Sequence, residues 1–378
     1  MQSGRARHYI GKLGLTFAAL AFVCAQTAPA AAFSFGKKHK APEVVAAPPP
    51  PPPPEPEIAV GPPALAGYVI TTAGAYAAYM QSAAGIGNRF TNGGSVIDAL
   101  RLGVHSEQHQ MQQGVVAYAA IVALQDPDFV AGVRGFASHA STRDAMVRYI
   151  LADPNYVMTL PGHDSAAGLI VATLNGQGAR LQAAGELVQQ ASLDIQLKAA
   201  WSKKAAPNQA GTLEEVKHLS ATTLDPPEDV KARLTQASTG AAPLGLAGGM
   251  AAQQPYSQTV ARGMAIAALA ILGKAGDQDM PYVMALLVND GDGFCFNMSK
   301  LNLYQCLSVA RPHYENMYCL GLHAMADTGK CVRAAVGEPA GFSPAPHPLA
   351  TVGGPVAAAA SVSGFGENAA AGATPLQR

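Results

Sequence analysis

The sequence predicts an all-α fold, and three observations predict it. Helix-start signals with a physical mechanism recur along the chain, the segments behind them are long and alanine-rich, and alternating β-branched runs bounded by tight turns are scarce. The fold is expected to be an Ala/Gly-rich multi-helix domain over residues 64–336, with a disulfide-stapled helical region at its C-terminal end.

The start signals fall in two groups. Asp126 before Pro127, Asp153 before Pro154 and Asp225 before Pro226 each pair a capping oxygen with a residue whose missing N–H costs nothing at the first helical position. Ser95 with Asp98, and Ser141 with Asp144, resemble the capping box, with Asp in place of Glu. Helices are expected to begin at all five. Residues 165–204 carry Leu169, Leu174, Leu181, Val188 and Ile195 at near-helical spacing and read as one long helix. Residues 115–124 and 264–272 are hydrophobic all round and too short to span a bilayer, so they read as buried central helices.

Those two stretches resemble each other. Ala117, Ala119, Ala120, Ile121 and Leu124 match Ala265, Ala267, Ala268, Leu269 and Leu272, and each series runs into a paired-acid turn, Asp126/Asp128 or Asp277/Asp279. The pattern suggests two related helical halves around a loose middle at residues 207–249.

The ends of the chain read differently. Residues 1–32 have the order of a secretory signal: Arg5, Arg7 and Lys12, an uncharged stretch 13–23, then a small-residue series with Ala30 and Ala32 before the cut. Val23 ahead of Cys24 argues against lipidation. Residues 33–63 open with Lys37, Lys38 and Lys40 and continue as a proline-rich linker that includes Pro48 through Pro54. Consecutive prolines fix φ and remove amide donors, which favours an extended polyproline II spacer. Residues 337–378 are rich in Ala, Gly, Pro and Ser with few large apolar side chains, a composition that does not offset ordering entropy, and they read as a disordered tail. The expected location is therefore outside the cytoplasm, in a periplasm or at a cell surface, with no transmembrane helix in the mature chain.

Lys+Arg and Asp+Glu both number 25, so no bulk attraction to nucleic acid is expected. Charged residues make up 13% of the chain against about 25% on average, which points to self-association or to contact with an envelope component or a protein partner. Without Cys24, four cysteines remain: Cys295, Cys306, Cys319 and Cys331. In an exported chain an even, clustered set argues for two disulfides, of three possible pairings. The short-loop pairing, Cys295 with Cys306 and Cys319 with Cys331, is the one favoured. The alternative, a zinc site joining these thiolates to His323, lacks any C-x-x-C pair.

Four groups are candidates for chemistry. His105 and His109 would share one face of a continuous helix and could hold a metal, but Glu107 between them does not give the H-E-x-x-H order. His163, Asp164 and Ser165 have the residue types of a hydrolytic triad without the nucleophile elbow, and Asp164 is better explained as a cap. Residues 289–293 fail the calcium-loop pattern, since Val288 would fall at the first ligand position, and read as a turn into the first cysteine. His313, Tyr314, Glu315 and His323 lie among the cysteines, where crosslinks would hold a ligand site rigid; Glu315 is the only acid there. Glu107 and Glu315 are the catalytic candidates, His313, Tyr314 and His323 the ligand-binding ones. No Walker, dinucleotide or haem-attachment motif is present, so no cofactor is called for. Two functions compete: a non-catalytic envelope binding or scaffold protein, and an exported hydrolase or lyase acting on cell-wall or extracellular polymer.

Overall fold

The computed structural model describes residues 55–288 and 290–337, apart from the side chains of 290–292. The signal, most of the proline-rich segment, Asn289 of the acidic turn and the tail from residue 338 lie outside the described residues. The regular structure of the described residues is all helical, with one isolated β-bridge between Ala205 and Pro312. In order the helices are α1 Gly67–Ala84, α2 Gly93–Val104, α3 Gln108–Ala123, α4 Pro127–Ala137, α5 Ala140–Ala152, a 3₁₀ turn Pro154–Thr159, and the long α6 His163–Lys198. Then come α7 Gln209–Ser220, α8 Glu228–Ser238, α9 Gln258–Ile271, a 3₁₀ turn Asp277–Asp279, α10 Met280–Leu287, α11 Asp290–Val309 and α12 His313–Cys319. A π-helical segment, Leu320–Asp327, joins α12 to α13 Thr328–Ala335.

The apolar stretches form α3 and α9, packed against each other at the centre, with α1 on the far side of α3. Close approach depends on small residues. A Cβ on Gly263 of α9 would stand 2.6 Å from the Ala119 Cβ of α3, inside any real contact. The same device seats α6 on the C-terminal helices: Gly178 faces Gly329 and Gly185 faces Gly321, where a Cβ on either member would meet the other's carbonyl oxygen within 2.6 Å. No single helix among the described residues is long and apolar enough to cross a membrane; α3 and α4 together pass that test but bend by 84° at their junction.

The caps divide by chemistry. Asp126 accepts from the Phe129 amide at 2.8 Å and Pro127 opens α4, as expected. Asp153 caps the 3₁₀ turn rather than an α-helix. Elsewhere the start sites shift. Asn92, not Ser95, caps α2, with Ser95 returning the bond from the third position, so the box is reciprocal but displaced by one turn. Ser141 lies inside α5, whose cap residue His139 makes no side-chain bond, and donates instead to Glu55. Asp225 stands outside α8, which starts after Pro227 because the intervening Pro226–Pro227 pair keeps the chain extended. Gly162, at φ 75°, caps α6, and Asp164 sits in its first turn.

Two further expectations are corrected. The middle of the chain is not loose: α7 and α8 occupy much of it, joined by a short irregular link at 221–227, and residues 239–257 form the long irregular connection. The acidic run beginning at Asp290 opens α11 rather than forming a turn.

The disulfides join Cys295 to Cys331 and Cys306 to Cys319, with Cα separations of 5.5 and 5.7 Å. The short-loop pairing is excluded by helix geometry. Cys295 and Cys306 both lie on α11, where eleven residues at 1.5 Å each hold them about 16 Å apart, and Cys319 and Cys331 are similarly spread along the α12–π–α13 run. The crosslinks instead tie α11 to that run at two levels. All four sulfurs are thereby consumed, which leaves His323 no thiolate with which to bind zinc.

Candidate functional site

The sequence candidates take local structural roles. His105 ends α2 and Glu107 caps α3, so a helix break separates His105 from His109 and removes the shared face. Glu107 accepts from the Gln110 amide at 2.8 Å and meets His109 Nδ1 at 3.2 Å, with the His109 ring pointing to solvent. Burial raises the Glu107 pKa, but hydrogen bonds from the Gln110 and His109 amides and the His109 ring, with the Lys300 charge, outweigh it and leave the carboxyl below its ordinary range. His163 Nδ1 pairs with the Tyr256 hydroxyl at 2.8 Å while Ser165 donates to Asp126, so the adjacent trio diverges. Glu315 accepts from the Arg311 amide at 2.7 Å and from Tyr314 at 3.3 Å, fastening the start of α12. His313 is buried against Trp201, its ring centroid 6.2 Å away, and burial lowers its pKa.

His323 lies at the heart of the fold in the π segment, where its Nδ1 meets Asp327 Oδ2 at 2.9 Å and Lys330 reaches the other carboxylate oxygen at 3.2 Å. The widened backbone there offers carbonyls to side chains: Ser299 donates to His323 O and Tyr79 to Ala324 O. Tyr79, Ser106, Ser220, Ser299, Lys300 and Thr328 surround a cavity of about 10 Å³, room for no more than one water. This is an internal polar network without space for a substrate. Among the described residues no group of three or more His, Cys, Asp or Glu side chains is arranged to hold a metal ion.

A much roomier cleft lies elsewhere. It has a volume of about 690 Å³ and runs between the C-terminal half of α1, the middle of α6 and residues 244–248 of the long connection. That connection is held in place from several sides. Leu244 N donates to Gln125 Oε1 at 3.0 Å and Ala252 N to Asp164 O at 2.9 Å. A Cβ on Gly168 of α6 would fall 2.0 Å from Met250 O, so only glycine admits the chain this close. Ala77, Met80, Ala84, Leu244 and Leu246 supply an apolar floor and wall.

Two guanidiniums, Arg180 from α6 and Arg233 from α8, stand at this cleft, both exposed, and among the described residues neither meets a carboxylate within salt-bridge distance. Arg233 makes only a long contact, 3.5 Å, to Leu244 O. At the base Tyr118 is buried beside Tyr76, ring centroids 5.4 Å apart, and Tyr76 donates to Gln177 at 2.8 Å. Burial raises the Tyr118 pKa, while Gln177 and the positive charges of Arg233 and Arg180 pull it partly back. The cleft thus combines apolar surface, hydroxyl and amide groups and two positive charges, with no carboxylate in its lining. Sequence reasoning missed it because its residues come from five separate segments; the one local hint is that Arg180 has no acid three or four positions away.

No family model, curated protein or solved structure matches this chain.

Proposed function

We propose that the chain is an exported, envelope-associated binding protein that holds an anionic amphiphile in the Arg180/Arg233 cleft. The cleft itself carries the reading. A preformed concavity in the size range of small-molecule sites, about 300–1,000 Å³, with an apolar wall and a few convergent polar groups is the ordinary form of a ligand pocket. Two guanidiniums without acidic partners fit carboxylate or phosphate oxygens in the geometry that arginine favours. The lining offers charge and hydrogen bonds to a ligand and no carboxylate or imidazole for proton transfer, which favours holding over turnover. Two disulfides point to an oxidising compartment outside the cytoplasm, in keeping with the export signal read from residues 1–32.

The test incubates the oxidised mature protein with a purified envelope fraction and follows sedimentation and release of soluble fragments together. Co-sedimentation that is lost in the Arg180→Ala/Arg233→Ala variant, without fragment release, is the expected result. Fragment release that disappears in Glu107→Gln or Glu315→Gln would overturn it in favour of a hydrolase.

A further inference from the structure

A second concavity, separate from the arginine cleft, lies between the first turns of α3 and α11. It has a volume of about 250 Å³ and is lined by Gln108, His109, Gln112, Gln113, Phe294 and Asn297, with Val288 and Gly293 at its edge. Four of these side chains end in carboxamides. Gln108 is tied to Gly293 O at 3.2 Å, and Gln113 accepts from the Tyr68 hydroxyl at 2.6 Å, so both are held in place. Gln112 is different. It is 7% exposed, yet its amide makes no hydrogen bond within the described residues, and Asn297 makes none either. Gly293 leaves the approach to Gln112 open, since a Cβ there would stand 2.9 Å from Gln112 Oε1.

Beside these amides Phe294 is 65% exposed, an aromatic ring offered to solvent at the mouth of the concavity. Among the described residues the lining contains no carboxylate, lysine or arginine, and His109 is its one ionisable side chain. Carboxamides both donate and accept and match paired hydroxyls, while an aromatic face packs against the C–H side of a saturated ring. The volume is below that of drug-sized pockets and suits a single ring. We propose that this concavity is a subsite for one neutral pyranose unit of a carbohydrate, with Gln112 and Asn297 bonding ring hydroxyls and Phe294 stacking on the ring.

The test is saturation-transfer NMR on the oxidised mature protein with glucose, galactose, N-acetylglucosamine and maltose, alongside a blocked Gly-Ala dipeptide and adenosine. The expected result is transfer to the ring protons of at least one saccharide. Gln112→Ala should weaken that affinity about tenfold, as for the loss of one or two net hydrogen bonds. Phe294→Ala, a change at an exposed position that leaves folding intact, should weaken it similarly, and Arg180→Ala/Arg233→Ala should leave it unchanged. No transfer to any saccharide, transfer indifferent to both site variants, or transfer to the dipeptide or adenosine alone would each overturn the assignment. Because the arginine variant reports on the other cleft, failure here is distinguishable from failure of the anion-binding reading.

Discussion

Replacing the cysteines in pairs tests the way the C-terminal helices are joined. The bridge from Cys295 to Cys331 closes 36 residues and that from Cys306 to Cys319 closes 13. Restricting the unfolded chain alone makes these worth ~3.8 and ~2.9 kcal/mol. The loops are nested, however, so with the inner bridge intact the outer one closes only about 24 residues and contributes ~3.4 kcal/mol. Denaturant melts of Cys295→Ala/Cys331→Ala and Cys306→Ala/Cys319→Ala should therefore show losses of about 3 kcal/mol each, with the outer pair slightly the larger. Thiol titration gives the sharper readout. Each of these two variants, unfolded without reductant, should show no free thiol, and two only after reduction. The mismatched Cys295→Ala/Cys306→Ala variant should instead expose two thiols on unfolding, because Cys319 and Cys331 are twelve residues apart along one continuous helical run and cannot meet. A mismatched variant with no free thiol would refute the helical geometry on which the argument rests.

Other residues give further tests. Burial, eased only in part by Glu107, lowers Lys300 from 10.5 to about 8; below pH 8 both states hold the proton, and between 8 and 10.5 only the unfolded chain does, so stability rises with pH across that window. Denaturant melts of the native chain against Lys300→Met should diverge by up to about 3 kcal/mol from pH 7.5 to 10.5 in favour of the native chain, and a flat difference would contradict the burial. Gly263→Ala forces α9 away from Ala119 and should cost ~1–3 kcal/mol despite alanine's better helix propensity; a raised melting temperature would count against the close packing. Asp327→Ala removes the carboxylate that receives His323 and Lys330 and should cost ~3–5 kcal/mol in a denaturant melt, whereas a loss under about 1 kcal/mol would show the network to be dispensable.

The sequence was legible where the controlling interactions are local. The Asp126–Pro127 cap, the long run that becomes α6 and the all-apolar stretches of α3 and α9 each carry their signal within a few turns. It was less legible where two local signals compete. Residues 105–109 look like one helix by spacing, yet Glu107 is a capping acceptor and starts a new one. Pairing the cysteines by loop length failed because it ignores helix continuity: the intervening residues are helical and rigid, so short separation in sequence means distance in space. The π segment has no local mark, since its apolar positions read equally well with α periodicity; only the tertiary bonds from Ser299 and Tyr79 reveal it. Both concavities were invisible for a related reason. Arg180 and Arg233 converge across 53 positions, and Gln112 reads as one more glutamine of a polar run until α11 buries it.

The central claim is that the Arg180/Arg233 cleft holds an anion carrying an apolar chain. Its most direct test is a calorimetric titration of the oxidised mature protein with octanoate, octyl phosphate and octanol at low and at physiological salt. Saturable binding of either anion, absent for octanol, weakened by salt and abolished in Arg180→Ala/Arg233→Ala, is the result predicted. Octanol binding as tightly as the anions, or anion binding that survives loss of both arginines, would contradict it.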